Sequence, residues 1–155
     1  MKKIGVLLIV FTIGIISSAN SQVKNHEIQS VNLQTTKEKA FAYIANPKNL
    51  NKWTGAFKEA DEKSALLVTP RGELKIGLET KTNRELGTID WYMTMPDSSI
   101  GVAYSRVTTG PDGKAIYSFT LIAPPVPLEQ VEGALATQIG QLKEELKKLQ
   151  VILSE

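Results

Sequence analysis

Residues 127–153 read PLEQVEGALATQIGQLKEELKKLQVIL, the longest periodic stretch of the chain. Leu128, Val131, Leu135, Ile139, Leu142, Leu146, Leu149 and Leu153 recur every three or four positions. That spacing puts them on one face of an α-helix, because 3.6 residues complete a turn. At about 1.5 Å rise per residue, such a helix is about 40 Å long. Pro127 suits its first turn, where the missing N–H would have no partner anyway. Glu129 and Glu132 fall near the positive end of the helix dipole, and Lys143, Lys147 and Lys148 near the negative end. Gly133 and Gly140 weaken the helix by about 1 kcal/mol each relative to alanine. The two glycines and the shortness of the stripe argue against a coiled coil of two such helices. The apolar stripe therefore needs a long apolar partner upstream.

Upstream, the pattern changes from period 3.6 to period two. Val23 to Leu33 reads as a first strand. Thr35 and Glu38 have the spacing of a capping box, and Ala40, Phe41, Ile44 and Ala45 give the helix that follows an apolar face. Pro47 disfavours helix at Asn46 and suits the start of a second short helix ending at Trp53. Strands are then expected at Phe57–Asp61, Ala65–Thr69, Glu73–Thr80, Leu86–Met95, Ile100–Val107 and Ala115–Ile122. The clearest alternation sets Ile89, Trp91, Met93 and Met95 opposite Thr88, Asp90, Tyr92 and Thr94. Pro70-Arg71-Gly72, Asn83-Arg84, Pro96-Asp97 and Gly110-Pro111-Asp112-Gly113 supply the turns. Such short connections make antiparallel hairpins. The fold class is α+β: a curved antiparallel β-sheet wrapped around a long C-terminal α-helix, with two short helices after the first strand. A twisted sheet wraps around a helix rather than lying flat on it, so a cavity can form between them.

The N-terminus is expected to lie outside this fold. Lys2 and Lys3 precede an apolar run from Ile4 to Ile16, followed by Ser17, Ser18, Ala19, Asn20 and Ser21. A positive start, a short apolar segment and small residues make an export signal, and the run falls short of the roughly 20 residues of a membrane span. We expect cleavage after Ser21, leaving residues 22–155 as one domain in the periplasm or outside the cell. Without Lys2 and Lys3, the basic count falls from 18 to 16, against 16 acidic residues. A chain so balanced gives no electrostatic reason to bind nucleic acid. It has no cysteine, which removes disulfides and thiolate chemistry.

The order of elements, with Ala40-Phe41-Ala42-Tyr43-Ile44, Asn46-Pro47, Leu50 and Lys52-Trp53, resembles the START-like (Bet v 1-like, SRPBCC) superfamily of polyketide cyclases/dehydrases and lipid-transport proteins. The resemblance implies a helix-grip fold with a hydrophobic cavity between sheet and long helix. It also implies a ligand: a lipid, a polyketide or another small hydrophobic molecule. A minority of members are cyclases, dehydratases or hydrolases, and others bind proteins.

The residues themselves offer little catalytic chemistry. His26 is the single histidine and lies near the expected mature terminus. No metal site, nucleophile with its base, or phosphate-cradling glycine loop is legible, so no cofactor is expected. Trp91 and Met93 suit an adaptable cavity wall. Tyr117 is in phase with Phe119 and Leu121, and Arg106 with Ile100, Val102 and Tyr104. On that strand the opposite face, Gly101, Ala103, Ser105 and Val107, serves equally well as the inward set. The candidate ligand-binding residues are Trp91, Met93, Tyr104, Arg106, Tyr117 and Phe119 of the sheet, with Leu135 and Ile139 of the helix. The expected function is binding of a small hydrophobic molecule or lipid. The alternatives are an enzyme using Tyr117, Arg106 and Asp90 in the same cavity, and an interaction domain for an envelope protein.

Overall fold

Period-two alternation survives folding, and it decides which side of each strand is buried. Ile89 and Trp91 are buried and Thr88, Asp90 and Tyr92 less so, while Ile76 and Leu78 are buried between exposed Lys75 and Glu79. The structure is a computed structural model that describes residues 23–123 and 126–154. The expected signal, residues 1–21, lies outside the described residues. The strands are β1 (His26–Asn32), β2 (Phe57–Ala60), β3 (Ser64–Thr69), β4 (Gly72–Asn83), β5 (Thr88–Thr94), β6 (Ile100–Thr109) and β7 (Ala115–Ile122). They form one seven-stranded antiparallel sheet in the order β1-β7-β6-β5-β4-β3-β2, curled into a half-barrel.

Helix α1 (Lys37–Ile44) begins one residue later than the capping-box spacing suggests. Its cap is Thr36, whose hydroxyl accepts from the Lys39 amide at 3.3 Å. Thr35 is occupied otherwise: its carbonyl accepts from the Ala115 amide at 2.8 Å and ties the loop to β7. Asn46 then caps a 3₁₀ turn at Pro47–Asn49 through the Lys48 amide at 3.1 Å, as its position before proline suggests. That turn runs into α2 (Leu50–Trp53). Asn49, itself buried, donates from its side chain to the Tyr43 carbonyl at 2.9 Å and locks the two short helices together.

Helix α3 spans Val131–Ile152, so the expected helix loses its first turn. Leu128–Gln130 is a 3₁₀ turn instead, in which the Gln130 amide donates to the Pro127 carbonyl at 2.8 Å. Val131, Leu135, Leu142, Leu146, Leu149 and Leu153 are buried along its stripe, and Ile139 is half-buried. The helix lies against β1 and β7 and touches α2. Two polar contacts fix it: Gln150 donates to the Asn32 carbonyl on edge strand β1 at 2.8 Å, and Glu145 accepts from the Gly55 amide after α2 at 2.7 Å. The core joins Phe41 and Ile44 of α1, Leu50 and Trp53 of α2, Val107 and Tyr117 of the sheet, and Leu142, Leu146 and Leu149 of α3. Among the described residues, no helix is long and apolar enough to cross a membrane.

Candidate ligand cavity

Strand pairing sets large inward side chains of β5 against small ones of β6. Ile89 faces Ser105, Trp91 faces Ala103 and Met93 faces Gly101. The small partners leave volume unfilled above them. Helix α3 packs over β1 and β7, so it does not descend into that space. The result is a cavity of about 330 Å³ between the concave side of the sheet, α2 and the middle of α3. Trp91, Met93, Ala103 and Phe119 line it from the sheet, Leu50 and Trp53 from α2, and Gln138, Leu142 and Glu145 from α3. Trp91 and Phe119 stack at 6.3 Å between ring centroids, with 29° between planes.

Larger depressions exist on the outside. One of about 570 Å³ is lined by Glu59, Asp61 and Lys75, and another of about 450 Å³ by Glu62, Thr82 and Arg84. Charged groups line both, whereas the inner cavity has mostly apolar walls and, among the described residues, a single charged one, Glu145. Apolar walls with a few polar groups are what a small-molecule site needs. Among the described residues, the buried Trp53 and Trp91 indole N–H groups find no acceptor and the Gln138 side-chain oxygen finds no donor. All three residues line the cavity.

No family model matches the sequence, and no curated protein is similar to it in sequence. Solved structures do match. The protein XoxI from Bacillus cereus superposes with a TM-score of 0.62 at 14% identity, over 84% of this chain and 96% of that one. A START superfamily protein from Mycobacterium smegmatis gives 0.60 at 9% identity, over 84% and 97%. The di-domain ARO/CYC StfQ of the steffimycin biosynthetic pathway gives 0.57 at 8% identity, over 83% of this chain and 44% of that longer one. The fold is START-like.

Within this START-like frame, the cavity brings together Trp91, Met93 and Phe119 of the expected binding residues. The others lie elsewhere. Tyr104 is 41% exposed and Arg106 is exposed, both on the outer face, because Ser105 and Val107 are the buried members of β6. The alternation along β6 fits both phases, and its pairing with β5 decides for the small set. Arg106 is held outside by its Nε–H, which donates to the Leu86 carbonyl at 2.9 Å. Asp90 shares that outer face with Arg106, at a polar depression that also includes Thr88 and Tyr104.

Tyr117 points inward as expected but belongs to the START-like core rather than the cavity lining. It is fully buried, edge-on to Trp53 at 6.1 Å and 88°. Burial pushes its phenol far above the usual range. The Ser105 hydroxyl opposes that rise, yet it donates to the Ile89 carbonyl at 2.7 Å and the Tyr117 hydroxyl closes no hydrogen bond. Leu135 is buried and Ile139 half-buried, both outside the lining. The helix positions at the cavity are Gln138, Leu142 and Glu145, spaced by four and three and so on one face. That face shares Leu142 with the leucine stripe and continues it sideways through polar Gln138 and Glu145, which hid it. Among the described residues, no group of three or more His, Asp or Glu stands close enough to hold a metal ion.

Proposed function

We propose that this protein binds a small hydrophobic molecule or lipid in the inner cavity and is exported to do so. The observation that carries the binding reading is the cavity of about 330 Å³, walled by Trp91, Met93, Phe119 and Leu142 under a folded α3. Its size falls within the range of small-molecule sites, which starts near 300 Å³. The START superfamily protein and the di-domain ARO/CYC StfQ among its structural neighbours support the same reading through shared fold. Export is supported by the lysines, apolar run and small residues of positions 2–21.

An enzymatic reading receives less support. General acid–base work needs a proton donor and acceptor within hydrogen-bond reach of one substrate. Asp90 and Arg106 stand on the outer face of the sheet and Tyr117 in the core, so these three do not converge. Native mass spectrometry of the protein purified from its own host tests the binding proposal. A discrete added mass that is lost on denaturation is the expected result. A bare mass that gains nothing from a broad lipid extract would overturn it. The same spectrum tests export, since a processed chain begins at Gln22.

A further inference from the structure

We infer that the free edge of β1, with the groove that α3 forms beside it, receives an extended peptide as an eighth strand, one whose side chains alternate between apolar and acidic. β1 stands at one end of the sheet and β2 at the other. An edge strand exposes unpaired N–H and C=O groups, and proteins blunt such edges with short strands, bulges and charged side chains. β2 has all three: it is four residues long, its register shifts between Phe57 and Glu59, and it carries Lys58 and Glu59. β1 is seven residues long, pairs with β7 without a shift and carries no Lys or Pro. Its outer face carries Ile28, 58% exposed. The Leu33 amide donates to the Ala115 carbonyl and the Asn25 carbonyl accepts from the Ala123 amide, both at 2.8 Å, so the odd-numbered residues turn their backbone groups toward β7. The even-numbered ones turn theirs outward, as Asn32 does toward the Gln150 side chain. Ile28 and Ser30 therefore each offer an amide and a carbonyl at the edge, and among the described residues nothing pairs with them.

Gln29 and Val31 of β1 line the groove, with Gly140, Lys143 and Lys147 of α3. The three helix positions are spaced by three and four and share one flank, while the cavity meets another through Gln138, Leu142 and Glu145. Strand geometry assigns the side chains of an added strand. Those opposite Gln29 and Val31 point into the groove, and those opposite Ile28 and Ser30 lie on the outer face beside Ile28. Glu144 lines the groove too, with its Oε1 held by Lys147 at 2.7 Å. Glu27 feels the charge of Lys143, but its carboxylate is engaged by Lys24 and by the Gln29 side chain. Lys143 itself pairs with no carboxylate among the described residues. An acidic side chain therefore suits the groove and a basic one does not. A second copy of the chain fits less well. Antiparallel pairing of two β1 strands puts both α3 helices on the same face, with strands about 4.8 Å apart where packed helix axes need about 8–10 Å. A bare peptide brings no helix.

The test uses capped heptapeptides of sequence TVEVEVT and TVKVKVT, titrated by fluorescence anisotropy against the protein purified from its host. The glutamate peptide is expected to bind about fivefold more tightly than the lysine one, the scale of an exposed ion pair. Methylating alternate backbone nitrogens of the glutamate peptide separates strand addition from loose attraction, since only one alternate set faces β1. One set is expected to lower affinity by about tenfold or more and the other by less than about threefold. Lys143→Glu, at an exposed position, is expected to abolish the preference for glutamate. Ile28→Pro removes an outward amide and no bond to β7, the one place where a strand accepts proline, and is expected to weaken both peptides. Its circular dichroism spectrum checks the fold, and Lys143→Glu decides the matter if that variant unfolds. Equal losses from both methylated sets, tighter binding of the lysine peptide or no binding of either overturns the inference. So does a dimer in sedimentation that the peptides dissociate, which gives the edge to a second copy. The cavity proposal is untouched by any of these outcomes, because its walls lie elsewhere on α3.

Discussion

The Tyr117 hydroxyl is a polar atom in the core with no hydrogen-bond partner among the described residues. Replacing it with phenylalanine keeps the ring against Trp53 and removes a desolvated group. We expect Tyr117→Phe to be neutral or stabilising by up to about 1 kcal/mol in urea unfolding, the reverse of a cavity mutation. The pH dependence follows from the same burial. The folded phenol titrates above its ordinary value of 10.0. The unfolded chain therefore loses this proton first, and stability falls as pH rises past about 10. Tyr117→Phe removes its share of that alkaline loss, and an unchanged slope of stability above pH 10 would contradict it. Gly87 makes an opposite case. Its φ is +75°, and a Cβ there would meet the Val107 carbonyl oxygen at 2.0 Å. That oxygen belongs to the neighbouring strand and cannot rotate away. Gly87→Ala is expected to cost at least about 3 kcal/mol, read as a lowered urea midpoint.

Helix α3 was legible because its leucines keep one phase over six turns, and no strand can present that spacing on a single face. Its first turn was not, since Pro127 and the residues after it satisfy a 3₁₀ turn as readily as an α-helical one. The face of α3 that meets the cavity was hidden for a different reason: Gln138 and Glu145 look like solvent positions until the curl of the sheet is known. Strand β6 shows the limit more sharply. Ile100, Val102 and Tyr104 are larger than Gly101, Ala103 and Ser105, yet the strand by itself left both faces open as the inward one, and with them the side that Arg106 takes. The decision lay in β5, whose Trp91 and Met93 already crowd the concave side and demand small partners opposite. Pairwise packing of this kind is not contained in either strand by itself. The glycines of α3 serve no such packing. A Cβ at Gly140 would meet nothing within 4 Å. Gly140→Ala is therefore expected to stabilise the protein by about 0.5–1 kcal/mol, seen as a raised melting temperature, because alanine loses less backbone entropy in a helix.

At the scale of the molecule, a cavity exists because a curled sheet and a straight helix cannot stay in contact along their whole lengths. Contact is made where α3 crosses β1 and β7, and space opens where β5 and β6 curve beneath Gln138 and Leu142. If that space is a ligand site, filling it should abolish binding without unfolding the protein. Ala103 is the place to do so, because it sits opposite Trp91 and lines the cavity. Ala103→Phe puts a ring where a ligand would lie, at a packing cost of about 1–3 kcal/mol, which a domain of this size tolerates. The circular dichroism spectrum should stay that of the parent, and the share of protein that carries an added mass in native mass spectrometry should fall by about tenfold or more. Tyr104→Ala is the matched control, one residue along the same strand but on the outer face, and it should leave that share unchanged. Loss of binding in Tyr104→Ala with retention in Ala103→Phe would move the site to the outside of the sheet, to the polar depression at Asp90 and Arg106.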